Sequence, residues 1–217
     1  MTSGQPLPVF PIAPPVAERE RLVRRARMLA WFGLGWHFAE AAIAIGAGVA
    51  ASSIALIGFG ADSLIEAAAG IVVIWLMSGT RPSSARAERR AQQLIAASFV
   101  VLGVYIGIES VRDLAGSHEP GVSWVGIALS IVTLAAMPPL ANAKRKVGEA
   151  LGSSATTSES RQTMLCAYLS VALLVGLSAN AIAGWWWADP LAALVIGVVA
   201  LREARDAWRG EVCDCCT

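Results

Sequence analysis

The stretch IALIGFGADSLIEAAAGIVVIWLM, at residues 54–77, is an apolar run whose only charged side chains are Asp62 and Glu66. It is long enough to cross a bilayer as a helix, which takes about 20 residues. Two carboxylates four residues apart share a helical face, with β-carbons roughly 5–6 Å apart. Because each charge near mid-membrane costs about 2.5–3.5 kcal/mol, we interpret the pair as compensated there by a cation or a proton.

The composition is typical of a membrane protein. Of the 217 residues, 56% are hydrophobic and 15% are charged, whereas a soluble domain carries about 25% charged residues. The sequence contains six apolar blocks, most of them long enough to span hydrocarbon, at residues 28–51, 54–77, 91–111, 122–140, 162–181 and 185–201. Only helices and closed barrels satisfy their backbone in lipid, and the alternation of a barrel strand is absent. We therefore predict an all-α integral membrane protein with six transmembrane helices.

Basic residues are concentrated in alternate loops. They precede the first block, separate the second block from the third, separate the fourth from the fifth (Lys144, Arg145 and Lys146), and follow the sixth. The opposite loops carry few charges or none. By the positive-inside rule, both termini are predicted to lie in the cytosol, and six spans agree with that parity. The expected localisation is the cell membrane, with multiple passes.

The chain divides into three predicted segments. Residues 1–27 form a disordered, cytoplasmic, proline-rich tail with a basic juxtamembrane segment. Residues 28–208 form the six-helix transmembrane domain, after which no soluble domain is expected. Residues 209–217 form a cysteine-rich cytoplasmic tail, in which Cys213, Cys215 and Cys216 either capture metal or are incidentally reactive.

A second polar stripe opens the fifth block, where Glu159, Gln162 and Cys166 share one helical face. A carboxylate, an amide carbonyl and a thiol can all ligate metals, and the thiolate favours softer ions. If this face meets Asp62 and Glu66, then Asp62, Glu66, Gln162 and Cys166 form a mixed oxygen–sulfur site compatible with a tetrahedral, zinc-like ion. The alternative is structural: Glu159 lies at the cytoplasmic mouth, Gln162 caps the helix, and Cys166 is a small buried hydrophobe.

Among five other polar residues, Glu40 and Asp189 leave alternatives open. Glu40 lines the same cavity, supports its ligands, or acts at an outer gate. His37, on the same face, is interpreted as a hydrogen-bonded packing residue. Asp189, directly before a proline, is either an ordinary helix N-cap or part of the ion path. Glu109 and Arg112 are predicted to form a local ion pair.

Over residues 28–208 the chain resembles the cation diffusion facilitators, a family of metal exporters with six spans and both ends in the cytosol. The segment GADSLIE, at residues 60–66, is similar to the family's second-span motif, which has two polar ligands four residues apart. The segment ESRQTMLC, at residues 159–166, lies where the family's fifth span carries a histidine and an aspartate. Gln162 replaces that histidine and Cys166 replaces that aspartate. Asp189 resembles the aspartate that opens the family's sixth span.

The resemblance implies transport of a divalent cation held near mid-membrane, usually in exchange for protons. Since the family's histidine is absent, Asp62, Glu66 or Cys166 would have to carry the protons. The chain resembles a variant without the family's cytoplasmic sensing domain, so a homodimer would rest on the transmembrane helices.

The resulting hypothesis is a secondary transporter that exports a divalent, zinc-like cation by alternating access. The alternative is a non-transporting membrane regulator or adaptor that binds metal. Motifs of hydrolases and metalloproteases are not recognisable, so we expect neither an enzyme nor a cofactor. The expected partners are the lipid bilayer and the transported ion, without nucleic acid.

Overall fold

The computed structural model describes residues 16–78, 85–116 and 119–209, and these residues form six α-helices and no strand. The all-α prediction is thereby confirmed. In chain order the helices are α1 (Val16–Ala51), α2 (Ile54–Ser78), α3 (Ala85–Gly116), α4 (Trp124–Leu151), α5 (Ser154–Ala183) and α6 (Ala188–Arg209). By length and composition, three stretches among the described residues could cross a membrane: Ala17–Ala51, Trp124–Leu151 and Glu159–Ala183.

The helices extend beyond the apolar blocks at their basic ends. Residues 16–27, predicted as part of a disordered tail, are helical because α1 begins at Val16. Similarly, α4 continues through Pro138 and Pro139 to Leu151. Hydropathy marks the part of a helix that suits hydrocarbon, whereas backbone hydrogen bonds prolong the same helix into polar turns. Residues 1–15 and 210–217, which hold most of both predicted tails, lie outside the described residues.

The helices pack mainly as three antiparallel pairs, α1 with α2, α4 with α5, and α3 with α6. Glycines permit the close approach of α1 and α2. A β-carbon at Gly60 would lie 2.7 Å from Cγ1 of Ile45, and one at Gly48 would lie 2.8 Å from Cγ1 of Ile57. Small residues at such crossings let helix backbones approach in a membrane bundle. The pairing brings the polar middle of α2 against the polar face of α1.

Asp189, in the first turn of α6, caps the beginning of α2. The hydroxyl of Ser53 donates to Asp189 Oδ1 at 2.5 Å, and the N–H of Ala55 donates to Oδ2 at 3.3 Å. The first amides of a helix have no intrahelical acceptor and carry the positive end of the helix dipole. The carboxylate of Asp189 accepts from a free amide and lies at the positive end of the dipole, so the sixth helix fixes the position of the second.

The buried interior combines a large apolar cluster with many polar side chains, and the outer surface carries many exposed large apolar side chains. Large buried side chains include Phe59, Ile106 and Ile196, which belong to one hydrophobic cluster. Trp124 and Ile182 are 68% and 85% exposed. Exposed apolar area of this extent suits contact with lipid rather than water.

Candidate metal site

Three buried side chains from three helices converge inside the bundle. His37 of α1, Glu66 of α2 and Cys166 of α5 each offer one ligand atom, and these atoms lie within 4.8 Å of one another. The side chains are almost inaccessible, with residue exposures of 4%, 7% and 0%. We call this group the His37–Glu66–Cys166 cluster. Its nitrogen, oxygen and sulfur donors are the set that zinc and similar ions accept.

Two atoms of the cluster have unused hydrogen-bonding capacity. His37 Nδ1 lies 3.2 Å from Glu66 Oε2, yet among the described residues neither atom has a hydrogen-bond partner. A buried polar atom without a partner costs about 1–3 kcal/mol. A proton on His37, or a cation that contacts both atoms, would remove that cost, so the cluster is suited to hold a positive charge.

Glu40, beside the cluster, is by contrast fully engaged. Its Oε1 accepts a hydrogen bond from Thr133 of α4. Its Oε2 accepts from Ser63 of α2 at 3.0 Å and from the thiol of Cys166 at 3.6 Å. His37 Nδ1 is 3.4 Å from the same oxygen. Glu40 therefore links α1, α2, α4 and α5 and holds two side chains of the cluster in position.

Of the four principal predicted ligands, the structure brings Glu66 and Cys166 together. Asp62 is buried, at 4% exposure, but does not belong to the cluster. It interacts electrostatically with Glu66 and with Glu40. Gln162 is half-buried on α5, one turn before Cys166. Asp62 and Gln162 thus flank the cluster.

The weaker candidates are distributed over three places. Glu159 forms a buried ion pair with Lys144, whose Nζ lies 2.8 Å from Glu159 Oε1. Asp189 has both carboxylate oxygens engaged at the start of α2. Three further candidates, Cys213, Cys215 and Cys216, lie outside the described residues. The predicted ion pair between Glu109 and Arg112 is confirmed at 2.9 Å.

Two residues of this region are not recognisable from the sequence. His37 was interpreted as a packing residue, although its spacing of three from Glu40 on an apolar helix was the available signal. The sequence predicts Lys144 as one of three consecutive loop cations, whereas the residue lies within α4 with 1% exposure. Its neighbour Arg145 has a side chain that is 57% exposed. The rotation of α4 about its axis decides that Lys144 is buried and Arg145 is exposed.

Long apolar helices around a buried cluster of metal-ligating donors define a membrane protein that can hold a cation in its interior. The cation efflux transmembrane domain matches residues 31–210, and the chain belongs to that family, which confirms the family expected from the residues. The chain is also 28% identical, over 197 residues, to an uncharacterized transporter of Synechocystis sp.. That match covers 87% of this chain and 64% of the relative, so the chain spans less than two thirds of the relative's length.

Proposed function

We propose that the protein is a secondary transporter that exports a divalent, zinc-like cation across the cell membrane, with six membrane-spanning helices and both termini in the cytosol. The observation that carries this proposal is the His37–Glu66–Cys166 cluster, whose donor atoms lie within 4.8 Å of one another. Donors about 2.0–2.3 Å from a tetrahedral ion lie roughly 3.3–3.8 Å from one another. The cluster therefore needs only small side-chain movements to close on one ion.

The proposed ligand set keeps Asp62, Glu66, Gln162 and Cys166 and adds His37. Three residues of the set already converge, and a tetrahedral ion takes four ligands. Asp62, one turn from Glu66 on α2, and Gln162, one turn from Cys166 on α5, are the two candidates for the fourth position.

Proton exchange follows from the chemistry of the ligands. Thiolate, carboxylate and neutral imidazole bind metal only after losing their protons, so metal binding releases protons and protonation releases metal. Glu66 and Cys166 supply two such groups in the cluster itself. The family's fifth span carries a histidine that this chain lacks, and in our proposal His37 of the first helix supplies the imidazole instead.

The test is zinc uptake into inverted membrane vesicles under a proton gradient. Glu66→Ala should abolish uptake, and Asp62→Ala and His37→Ala should reduce it strongly, because each removes a proposed ligand. Ser98→Ala is the matched control, since this exposed hydroxyl donates to the carbonyl of Leu94 within its own helix. Zinc binding without uptake in the wild type would favour the metal-binding regulator, and unchanged uptake in Glu66→Ala would overturn the site.

A further inference from the structure

We infer that Glu159 and Thr163 form a second cation station, between the His37–Glu66–Cys166 cluster and the cytosol, and that the ammonium of Lys144 occupies this station in the present conformation. The inference rests on the proposed function for the identity and direction of the transported ion. Its ligand is a divalent cation that arrives with part of its hydration shell. Lys144 is a tethered cation that the incoming ion displaces.

The contacts of Lys144 are those of a bound cation. Its Nζ donates to Glu159 Oε1 at 2.8 Å and to Thr163 Oγ1 at 3.1 Å. The exposures of Lys144 and Glu159 are 1% and 7%. A lysine is almost never fully buried unless it is paired. A carboxylate and a hydroxyl, both oxygen ligands, are also what hard divalent cations accept.

The neighbouring helices leave room for this ammonium. A β-carbon at Gly33 of α1 would lie 2.8 Å from Lys144 Nζ. β-Carbons at Gly33 and at Gly70 of α2 would each lie 3.9 Å from Glu159 Oε1. The station is therefore formed by α4 and α5 and bordered by glycines of α1 and α2.

The station lies one helical turn from the cluster on three helices at once. Gly33 precedes His37 by one turn, Gly70 follows Glu66 by one turn, and Thr163 precedes Cys166 by about one turn. All three steps lead toward the end of the bundle where α1 begins and α2 ends. The basic loops assign that end to the cytosol. An ion that moves between the cluster and the cytosol along these faces therefore passes the ammonium of Lys144.

The displaced ammonium of Lys144 can move toward water at the basic turn of α4. Lys144 is on the basic turn of α4, where the adjacent Arg145 and Lys146 are exposed. Its flexible four-carbon stem lets the charge move toward water while the stem stays packed. Lys144 also acts electrostatically on Glu66 in the cluster. The ammonium of Lys144 thus blocks the cytosolic side of the path while no ion is bound, and a divalent ion displaces it.

Cys166 is a native reporter for this inference, because its thiol lies beyond the station. The other cysteines, Cys213, Cys215 and Cys216, are replaced by serine. Modification of Cys166 is then timed in inside-out vesicles with a cationic and an anionic methanethiosulfonate, both impermeant. Lys144→Ala should accelerate the cationic reagent by about tenfold or more, since a cleft of one charge sign enriches its counter-ion by that factor. The rate of Cys166 modification by the anionic reagent should rise far less.

Two further variants distinguish a cation station from a loosened fold. Arg145→Ala removes the adjacent exposed cation and should leave both rates unchanged. Lys144→Ala combined with Glu159→Gln should abolish the preference for the cationic reagent, because the attracting carboxylate is gone. Equal acceleration of both reagents by Lys144→Ala, or no acceleration of either, would overturn the inference.

The same vesicles separate this inference from the proposed function. Zinc added before the reagent should slow the modification of Cys166 in the protein that retains Lys144, which tests metal binding at the cluster. Zinc protection without any effect of Lys144→Ala overturns the station and leaves the proposed function standing. A charge-selective effect of Lys144→Ala without zinc protection overturns the proposed zinc site and supports a cation station that serves another ion.

Discussion

At the scale of single residues, two neighbouring buried carboxylates have different roles. Glu40 accepts hydrogen bonds from Thr133, Ser63 and Cys166, whereas Oε2 of Glu66 faces His37 without a hydrogen bond among the described residues. A fully bonded carboxylate has little remaining capacity for an ion, and an open one has much. We therefore propose Glu66 as the ligand and assign to Glu40 the positioning of the cluster's side chains.

We predict that His37→Ala weakens zinc binding by at least about 10–100-fold, the loss found when even supporting partners of metal ligands are removed. Zinc titration of the purified protein in detergent measures the affinity. Phe38→Ala, at the adjacent and 49% exposed position, is the control and should bind zinc like the wild type. An unchanged affinity in His37→Ala would show that the imidazole is a packing group.

We predict that Glu40→Ala lowers the free energy of unfolding by at least about 2 kcal/mol, because it leaves several buried donors without an acceptor at about 1–3 kcal/mol each. Denaturant unfolding in mixed micelles gives the value. The control is Glu109→Ala, which removes one partner of a largely exposed ion pair with Arg112 and should cost less than about 1 kcal/mol. Equal losses in the two variants would contradict the role assigned to Glu40.

The sequence predicted this site in part. Spacings of four and three placed Glu66 and Cys166 on helical faces that do meet. They did not determine which carboxylate of α2 points toward α5, since Asp62 and Glu66 share a face and differ by one turn. His37 was not predicted as a ligand, because a lone histidine on an apolar helical face gives the same sequence pattern whether it packs in the core or binds a metal.

At the scale of helices, hydropathy predicted where each helix lies but not where it ends. The block at residues 28–51 belongs to α1, which already begins at Val16. The block at residues 122–140 belongs to α4, which continues to Leu151. Membrane transfer energy depends on side chains, whereas a helix also continues through charged turns that lie in water. Lys144 lies in such an extension, so its burial depends on how α4 is rotated against α5.

We predict that Gly60→Ala lowers the free energy of unfolding by roughly 1–3 kcal/mol, the usual cost of overpacking. The new β-carbon would lie 2.7 Å from Ile45 Cγ1 and 3.0 Å from the Ile45 backbone nitrogen, so the backbone of α1 itself must move. Gly46→Ala meets nothing within 4 Å and should stabilise α1 by up to about 1 kcal/mol. Denaturant unfolding of the two variants should give changes of opposite sign, and changes of the same sign would contradict the close α1–α2 contact.

At the scale of the whole molecule, the fold class was predictable from the lengths of the apolar blocks, and the family was predictable from the loop charges together with the motif at residues 60–66. The arrangement of the helices was not, because lipid-facing and buried apolar residues are the same residue types. Trp124 and Phe59, for example, are both large and aromatic, yet the first is 68% exposed and the second is 0% exposed.

We predict that Glu119 and Lys146 lie on opposite sides of the membrane, because the loop charges place the end of α4 in the cytosol and its beginning outside. Both positions are exposed. In a background without tail cysteines, Glu119→Cys should react with an impermeant thiol reagent only in right-side-out vesicles, and Lys146→Cys only in inside-out vesicles. Labelling of both from one side would contradict six spans between cytosolic termini.

The contact of Asp189 with the beginning of α2 also sets an order for biosynthesis. The carboxylate that receives the N–H of Ala55 is 134 residues further along the chain, so the ribosome has synthesised α1 to α5 before this acceptor exists. During synthesis the first turn of α2 has the hydroxyl of Ser53 as its nearby acceptor. The helix that bears both acidic side chains of the opening stretch is thus fixed in place by α6, and a nascent chain that stops short of α6 leaves this acidic segment unanchored.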